Sequence, residues 1–259
     1  IDSYCYDHFI DFVPSLSTFG HLYELLSLKK YEHLMELENY IPNDHFWKER
    51  MCHHTINPRE NESEKLIFSL IDQYLPLFRS QYFNICCDET FDLGKGKNAG
   101  SNSAILYSEF VKKIIDHVKS SGKTIMMWAD IILLHYDEIK DLPQDVVFLN
   151  WDYSKNPSKR RVELLKDRNL KQIVCPGTSS WAALIEKVDV ASSNIFNLAS
   201  AGYEYNVIGL LITNWGDYGH PAFFECSLYG MLEGACISWN KKTIFNEKFE
   251  KIASAFLWK

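Results

Sequence analysis

The sequence predicts an α/β fold built on a parallel sheet with helical crossovers, and two observations carry that expectation. Short apolar runs with strand composition recur near residues 10, 84, 126, 148, 173 and 209. Most of the segments between them show the apolar spacing of amphipathic helices, and that alternation is the pattern of repeated βα units. The chain has 259 residues, 46% of them hydrophobic, which is enough for one large globular domain over residues 1–259 with an ample core. No repeat, low-complexity tract or linker interrupts it.

The elements follow in order. Residues 1–8 read as the tail of a helix, and residues 9–13 as a strand stopped by Pro14. Residues 22–57 form a long connection with short helical pieces. Asn57-Pro58 then opens a helix, with Asn57 as N-cap and proline at the first helical position. Its buried stripe comprises Leu66, Ile67, Leu70, Ile71, Tyr74 and Leu75. A strand over 82–86 follows, then a second helix with Ile105, Leu106, Phe110, Val111, Ile114, Ile115 and Val118 on its inner face, ended by Gly122. The next strand lies within residues 123–130. Leu142-Pro143 turns the chain into a strand over 146–151, a polar helix spans about 158–168, and a strand covers 171–175. A helix over about 182–201, a strand over 207–212 and a final helix over 223–238 complete the reading.

Composition narrows the function. A formal net charge of −7 argues against a nucleic-acid partner. No apolar run reaches the ~18 residues of a membrane span. The 14 Tyr and 7 Trp exceed what packing asks for, and sugar-binding clefts use such rings as stacking platforms. The seven cysteines show no metal-type spacing, and the vicinal Cys86-Cys87 reads as two small hydrophobes in a buried strand. That usage suggests a reducing, cytoplasmic compartment. The chain opens at Ile1, with no signal peptide visible. His53-His54 beside Cys52 is not a metal site by spacing, because adjacent histidines do not share a helix face, and no cofactor is expected.

The chemistry centres on Asp88-Glu89, where an apolar run changes into a polar, glycine-punctuated loop. Adjacent side chains on a regular strand point to opposite faces, so only an irregular strand end could aim both at one substrate. Without further context the pair also suits an acidic, solvated loop. Four predicted strand ends carry tryptophan: Trp128, Trp151, Trp181 and Trp215. Each alone suits a core, whereas four at successive strand ends with polar neighbours would wall a narrow pocket.

The wording FNICCDETFDLGKGK over residues 83–97 resembles the signature of the family 20 glycoside hydrolases, the β-N-acetylhexosaminidases. It is most similar to a bacterial branch reading roughly GGDE-x-x-x-LGKGKS. The resemblance implies a (β/α)₈ TIM-type barrel, here incomplete with about six βα units, in which Asp88-Glu89 closes the fourth strand. The first strand of this chain would then be the third. The two preceding strands, and the arginine most members supply from strand one, would lie outside it. By the same resemblance Glu89 is the general acid/base, and Asp88 orients and charge-stabilises the substrate's acetamido group. Gly20-His21 resembles the Gly-His at the end of strand three, which makes His21 the histidine behind the acid. Read from the residues alone, His21 is a loop histidine bonded to backbone. Trp128 with Asp130, Trp181, and Trp215 with Asp217 resemble the family's pocket residues, with Asp217 standing where many members carry Glu. Trp151 joins that wall, and Tyr153 is the candidate for the tyrosine that binds the acetamido oxygen.

The implied activity is exo-acting, retaining removal of terminal GlcNAc or GalNAc from an N-acetylhexosamine-terminated glycan. The substrate's acetamido oxygen is the nucleophile and an oxazolinium the intermediate. Packing Glu89 among tryptophans would raise its pKa and keep it protonated. Two other readings remain: a catalytically silent, carbohydrate-binding relative or inactive fragment, and an unrelated barrel glycosidase with two carboxylates about 5–5.5 Å apart.

Overall fold

A computed structural model describes residues 1–38, 53–141, 143–219 and 221–258; Cys52, Leu142 and part of the 22–57 connection of the sequence reading lie outside them. The chain forms two compact units, residues 1–147 and 148–259.

The first unit contains α1 (Asp2–Asp7), α2 (Tyr23–Leu26), α3 (Asn61–Tyr74), β1 (Tyr82–Asn84), α4 (Ser103–Ser120), β2 (Thr124–Trp128) and α5 (Asp130–Leu134). β1 and β2 run parallel, with Tyr82, Phe83 and Asn84 opposite Thr124, Ile125 and Met126. α3 buries Ile67 and Ile71, with Leu75 just beyond its end. In α4, Ala104, Tyr107, Val111, Ile114 and Val118 keep the 3–4 spacing of a buried face. Ile105 falls off that face and is 54% exposed, contrary to its expected place inside.

Three further expectations fail here. α3 starts at Asn61, not at Pro58, because the Asn57 side chain is used elsewhere. Its Oδ1 accepts from the Arg59 N–H at 3.0 Å and from Asn98 Nδ2 at 2.7 Å. β1 ends at Asn84, since Cys86 is left-handed (φ 60°) and cannot continue a regular strand. The strand expected at 9–13 does not form, because Phe9 is itself left-handed (φ 59°) and fully exposed. The segment meets β1 only past Pro14, where Ser15 bridges Asn84 and the Asn84 N–H bonds the Pro14 carbonyl at 2.9 Å. The strands among the described residues are therefore five, not six. A cleft of about 710 Å³ opens at this apolar edge, lined by Tyr6, Phe9, Ile10, Phe12 and Tyr82 and by none of the candidate site residues.

The second unit contains β3 (Val147–Trp151, beginning at the boundary), α6 (Lys159–Asp167), β4 (Lys171–Cys175), α7 (Val188–Glu204), β5 (Gly209–Leu210), α8 (Leu228–Trp239) and α9 (Glu247–Leu257). β4 and β5 are parallel, with Ile173 opposite Gly209 and Val174 opposite Leu210. One core layer joins Val162, Val174, Leu198 and Ala201, and another joins Ala191, Ile195, Ala199 and Ile237. β5 is shorter than the expected 207–212, although Leu211 N–H and Thr213 N–H continue the pairing irregularly onto Val174 and Pro176. α7 begins six residues later than expected, since Ser179 and Ala182 take left-handed φ of 54° and 51°. The final helix is α8 preceded by a 3₁₀ turn (Phe224–Ser227), and α9, capped by Asn246 at the Phe249 N–H, was not expected.

The Leu93-Gly94-Lys95-Gly96-Lys97 loop is clamped by a buried carboxylate, Glu36. Glu36 Oε1 accepts from the Gly94 and Asn98 N–H groups, each at 3.1 Å, and its carbonyl accepts from the Lys97 N–H at 2.8 Å. A Cβ on Gly96 would lie 1.9 Å from that carbonyl oxygen and 2.7 Å from the Leu37 Cα. Both obstacles are backbone. Gly96→Ala should therefore lower the unfolding free energy in urea by about 2–3 kcal/mol. Gly100→Ala, at φ +83° with open space around it, should lose only the ~1 kcal/mol of a left-handed residue. A smaller loss at Gly96 than at Gly100 would contradict the clamp.

Candidate active site

β1 delivers the carboxylates through a strained exit. Cys86, Cys87 and Glu89 have φ of 60°, 63° and 51°, so the chain leaves the sheet in a tight, irregular turn. Surrounding groups over-determine it. Ile85 N–H bonds Met126 O, Cys86 O accepts from Trp128 N–H, Cys87 O from the Tyr107 hydroxyl at 2.8 Å, and Ile85 O from Thr18 Oγ1 at 2.6 Å. Such conformations persist only where the neighbourhood enforces them.

The turn places both acids on one imidazole. His21 Nε2 lies 3.2 Å from Asp88 Oδ2 and 3.1 Å from Glu89 Oε2. One imidazole nitrogen thus faces both carboxylates. Burial works against the imidazolium, but hydrogen bonding and charge from Asp88 and Glu89 prevail and raise its pKa from 6.5 to about 10. His21 is itself left-handed (φ 57°), and Gly20 before it is needed because a Cβ there would meet the Asp88 carbonyl at 2.4 Å.

Asp130, the first residue of α5, faces the same turn. Its Oδ2 accepts the Glu89 N–H at 2.9 Å. Burial and the Asp88 charge push its pKa up to about 7. Trp128 is buried, with its N–H on the Cys86 carbonyl at 3.0 Å. Burial also pushes the Cys86 thiol up to about 12 and Cys87 well above its ordinary value, as suits packing groups.

Among the described residues, His21, Asp88 and Glu89 form the one cluster with ligand-type atoms within 4.8 Å of one another. The two short contacts from one imidazole to two carboxylates make the trio an ion-paired triad.

The second unit gathers Trp151, Tyr153, Trp181 and Trp215. Trp151 stacks on Tyr153 (5.1 Å, 19°), and Trp181 meets Tyr153 edge-on (5.0 Å, 77°). Trp215 Nε1 donates to the Tyr153 hydroxyl at 2.8 Å. Gly177 makes the room: a Cβ there would stand 2.4 Å from the Trp181 ring and 3.0 Å from Tyr153. Asp217 opens the 3₁₀ turn Asp217–Gly219, two residues beyond Trp215.

Sequence reasoning missed three supporting residues. His54, buried in the first unit, donates from Nε2 to the Glu89 carbonyl at 2.8 Å and packs edge-on to His21. Asn194, buried in α7, donates to the carbonyls of Asp152 and Ser154 on either side of Tyr153, and its Oδ1 accepts from Gly177 N–H. Asn214 Oδ1 accepts from Thr178, Ser180 and Ser227, tying together the residues next to Trp181 and Trp215. A signal existed for Asn194, an amide on the apolar face of an otherwise well-patterned helix. No local pattern marks the other two.

Residues 1–207 match the family model described as "Glycosyl hydrolase family 20, catalytic domain". The chain belongs to glycosyl hydrolase family 20. Human Hexosaminidase D is 24% identical over 238 residues, covering 82% of this chain and 46% of that protein. The bovine Hexosaminidase D is 26% identical over 175 residues, covering 62% and 47%. The family 20 chain thus spans about half the length of the curated relatives it matches. Among solved structures, the β-N-acetylhexosaminidase from Bacteroides fragilis superposes with a TM-score of 0.71 at 17% identity, covering 98% of this chain and 54% of that one. The family 20 fold, an incomplete TIM-type (β/α)₈ barrel, is therefore shared at an identity where side chains have largely diverged.

The shifted groups set the pH dependence of stability. The folded pKa of His21 exceeds its ordinary value, so its contribution is complete below about 6.5 and is lost as pH rises through about 10. Asp130 at about 7 and Asp92, pushed by burial to about 6, also bind protons more tightly when folded, and their contributions fade as pH climbs from 3.8 through those values. Urea unfolding should show stability falling from pH 5 to 10. His21→Gln should flatten the part between pH 7 and 10. A wild-type profile level over that upper range would reject the assignment.

Proposed function

We propose that the protein carrying this chain is an exo-acting, retaining β-N-acetylhexosaminidase that releases terminal GlcNAc or GalNAc by substrate-assisted catalysis. The observation that carries the reading is the attachment of two consecutive carboxylates, Asp88 and Glu89, to the single imidazole of His21. A two-carboxylate retaining enzyme needs its nucleophile on the sugar face opposite the acid. Asp88, beside Glu89, can instead receive the acetamide N–H of a substrate whose own acetamido oxygen is the nucleophile. The match to the family over residues 1–207 supports reading the chain as part of a catalytic domain. The names of the relatives, Hexosaminidase D and β-N-acetylhexosaminidase, support the substrate class.

Glu89 gives its proton to the glycosidic oxygen as that bond to the anomeric carbon breaks. The acetamido oxygen bonds the same carbon, closing an oxazolinium. Asp88 accepts the acetamide N–H and balances the developing positive charge. Glu89, now a carboxylate, takes a proton from water, which opens the ring and restores the original anomeric configuration. His21, held as a cation, offsets the repulsion between the neighbouring acids. For the sugar, Tyr153 would donate its O–H to the acetamide carbonyl while its oxygen takes the Trp215 N–H. Trp128, Trp151, Trp181 and Trp215 would supply apolar walls, and Asp217 would bind sugar polar groups.

The two acids should separate by kinetics in the full-length protein. Glu89→Gln should cut the rate steeply for poor leaving groups and much less for activated aryl glycosides, whose departure needs little protonation. Asp88→Asn should cost on the order of 10²–10³ whatever departs, because the intermediate loses its countercharge. A thiazoline mimic of the cyclised intermediate should bind the wild type tightly and Asp88→Asn poorly. Unchanged turnover and thiazoline affinity in Asp88→Asn would sink substrate assistance, and full activity on sugars lacking the 2-acetamido group would point to a two-carboxylate enzyme.

A further inference from the structure

We infer that Asp130 is a positioning residue that holds the acid Glu89 in its working backbone conformation, and that it does not bind the sugar. This deepens the reading of the site given above and rests on it for the role of Glu89. Three observations carry the inference.

Glu89 is left-handed (φ 51°), a conformation its side chain disfavours, so something must hold its peptide group. Its carbonyl is held by His54 Nε2 at 2.8 Å and Phe91 N–H at 2.7 Å. Its N–H is held by Asp130 Oδ2 at 2.9 Å. Removing Asp130 would thus release the donor side of the peptide that carries the acid.

Asp130 is also built to face inward. It follows β2 directly, and β2 is tied to the same turn by the bonds between Ile85 and Met126 and between Trp128 and Cys86. Its second oxygen, Oδ1, is buried with no hydrogen-bond partner. A carboxylate serving a sugar hydroxyl would present that oxygen to the cleft.

Its electrostatics agree with the geometry. Asp88 and Glu89 already crowd this turn with carboxyl groups, and a charged Asp130 would repel both. Burial and the Asp88 charge favour the protonated form of Asp130, which can hold the Glu89 N–H without adding charge.

Asp130→Ala and Asp130→Asn in the full-length protein test this with two readouts. Hydrogen exchange at the Glu89 amide should accelerate at least about tenfold in Asp130→Ala and return close to the wild-type rate in Asp130→Asn, whose Oδ1 accepts the same N–H. For substrates with sugar leaving groups, kcat should fall about 10²-fold in Asp130→Ala, the loss expected of a catalytic group displaced by about 1 Å. It should fall less than about tenfold for activated aryl leaving groups, with KM little changed in both cases, and Asp130→Asn should restore most of the rate. An unchanged Glu89 exchange rate in Asp130→Ala overturns the inference whatever the activity. So does a rise in KM of equal size for both leaving groups, the mark of a lost sugar contact. If exchange responds as expected while the wild type lacks hexosaminidase activity, the positioning role stands and the proposed reaction falls.

Discussion

The structure of the first unit depends on holding one unfavourable turn. Between Ile85 and Glu89 the backbone takes three left-handed steps, and its polar groups are met one after another from other elements. Thr18, Met126, Trp128, Tyr107, Asp130 and His54 each bond a different N–H or C=O of this turn. Buried peptide groups must be satisfied, and here the sheet ladder cannot do it because β1 has already ended. The partners therefore come from side chains and from the one strand that continues. The reward is geometric: consecutive carboxylates, which a regular strand would send to opposite faces, meet at one imidazole.

The second unit solves a similar problem with neutral groups. Of its aromatic residues, Trp151 closes β3, and Tyr153, Trp181 and Trp215 lie past strand ends, where the backbone has left the ladder and needs other support. Asn194 supplies it from α7, bonding the carbonyls that flank Tyr153 and the N–H of Gly177. Asn214 does the same for the chain beside Trp181 and Trp215 through three hydroxyls. An amide suits this task because it donates and accepts without carrying a charge into the interior. In both units the residues with chemical potential are carried by loops, and buried polar side chains make those loops rigid.

What could be read from the sequence follows from how local each signal is. α4, β2 and β4 were legible because their apolar spacing is decided within the element. Asp88-Glu89 and the tryptophans were legible as types, since few residues carry that chemistry. The strand ends were not. β1 reads as apolar through Cys87, and nothing in that run announces a left-handed Cys86. The segment at 9–13 has strand composition, yet it finds its ladder partner only beyond Pro14. His54 and Glu36 were illegible for a related reason. Each acts by bonding backbone far away in sequence, 35 residues on for His54 at Glu89 and 58 for Glu36 at Gly94. Glu36 does leave a trace, a lone acid among Leu34, Met35 and Leu37.

The left-handed pair at Cys86 and Cys87 bears on how such chains are recognised. The bacterial branch that this chain resembles reads Gly-Gly at those two places, and glycine enters that conformation without a side-chain penalty. Here two cysteines adopt it, one thiol against Ser15 and the other against Thr18, so packing substitutes for conformational freedom. The glycines of the signature are thus a trace of backbone shape, and shape can outlast the residues that first made it easy. A pattern search that demands the glycines would pass over this chain, whereas one that asks for a short strand, a left-handed exit and two acids would find it. Divergence at these two positions then measures how firmly the surroundings hold the turn, and says little about whether the chemistry has changed.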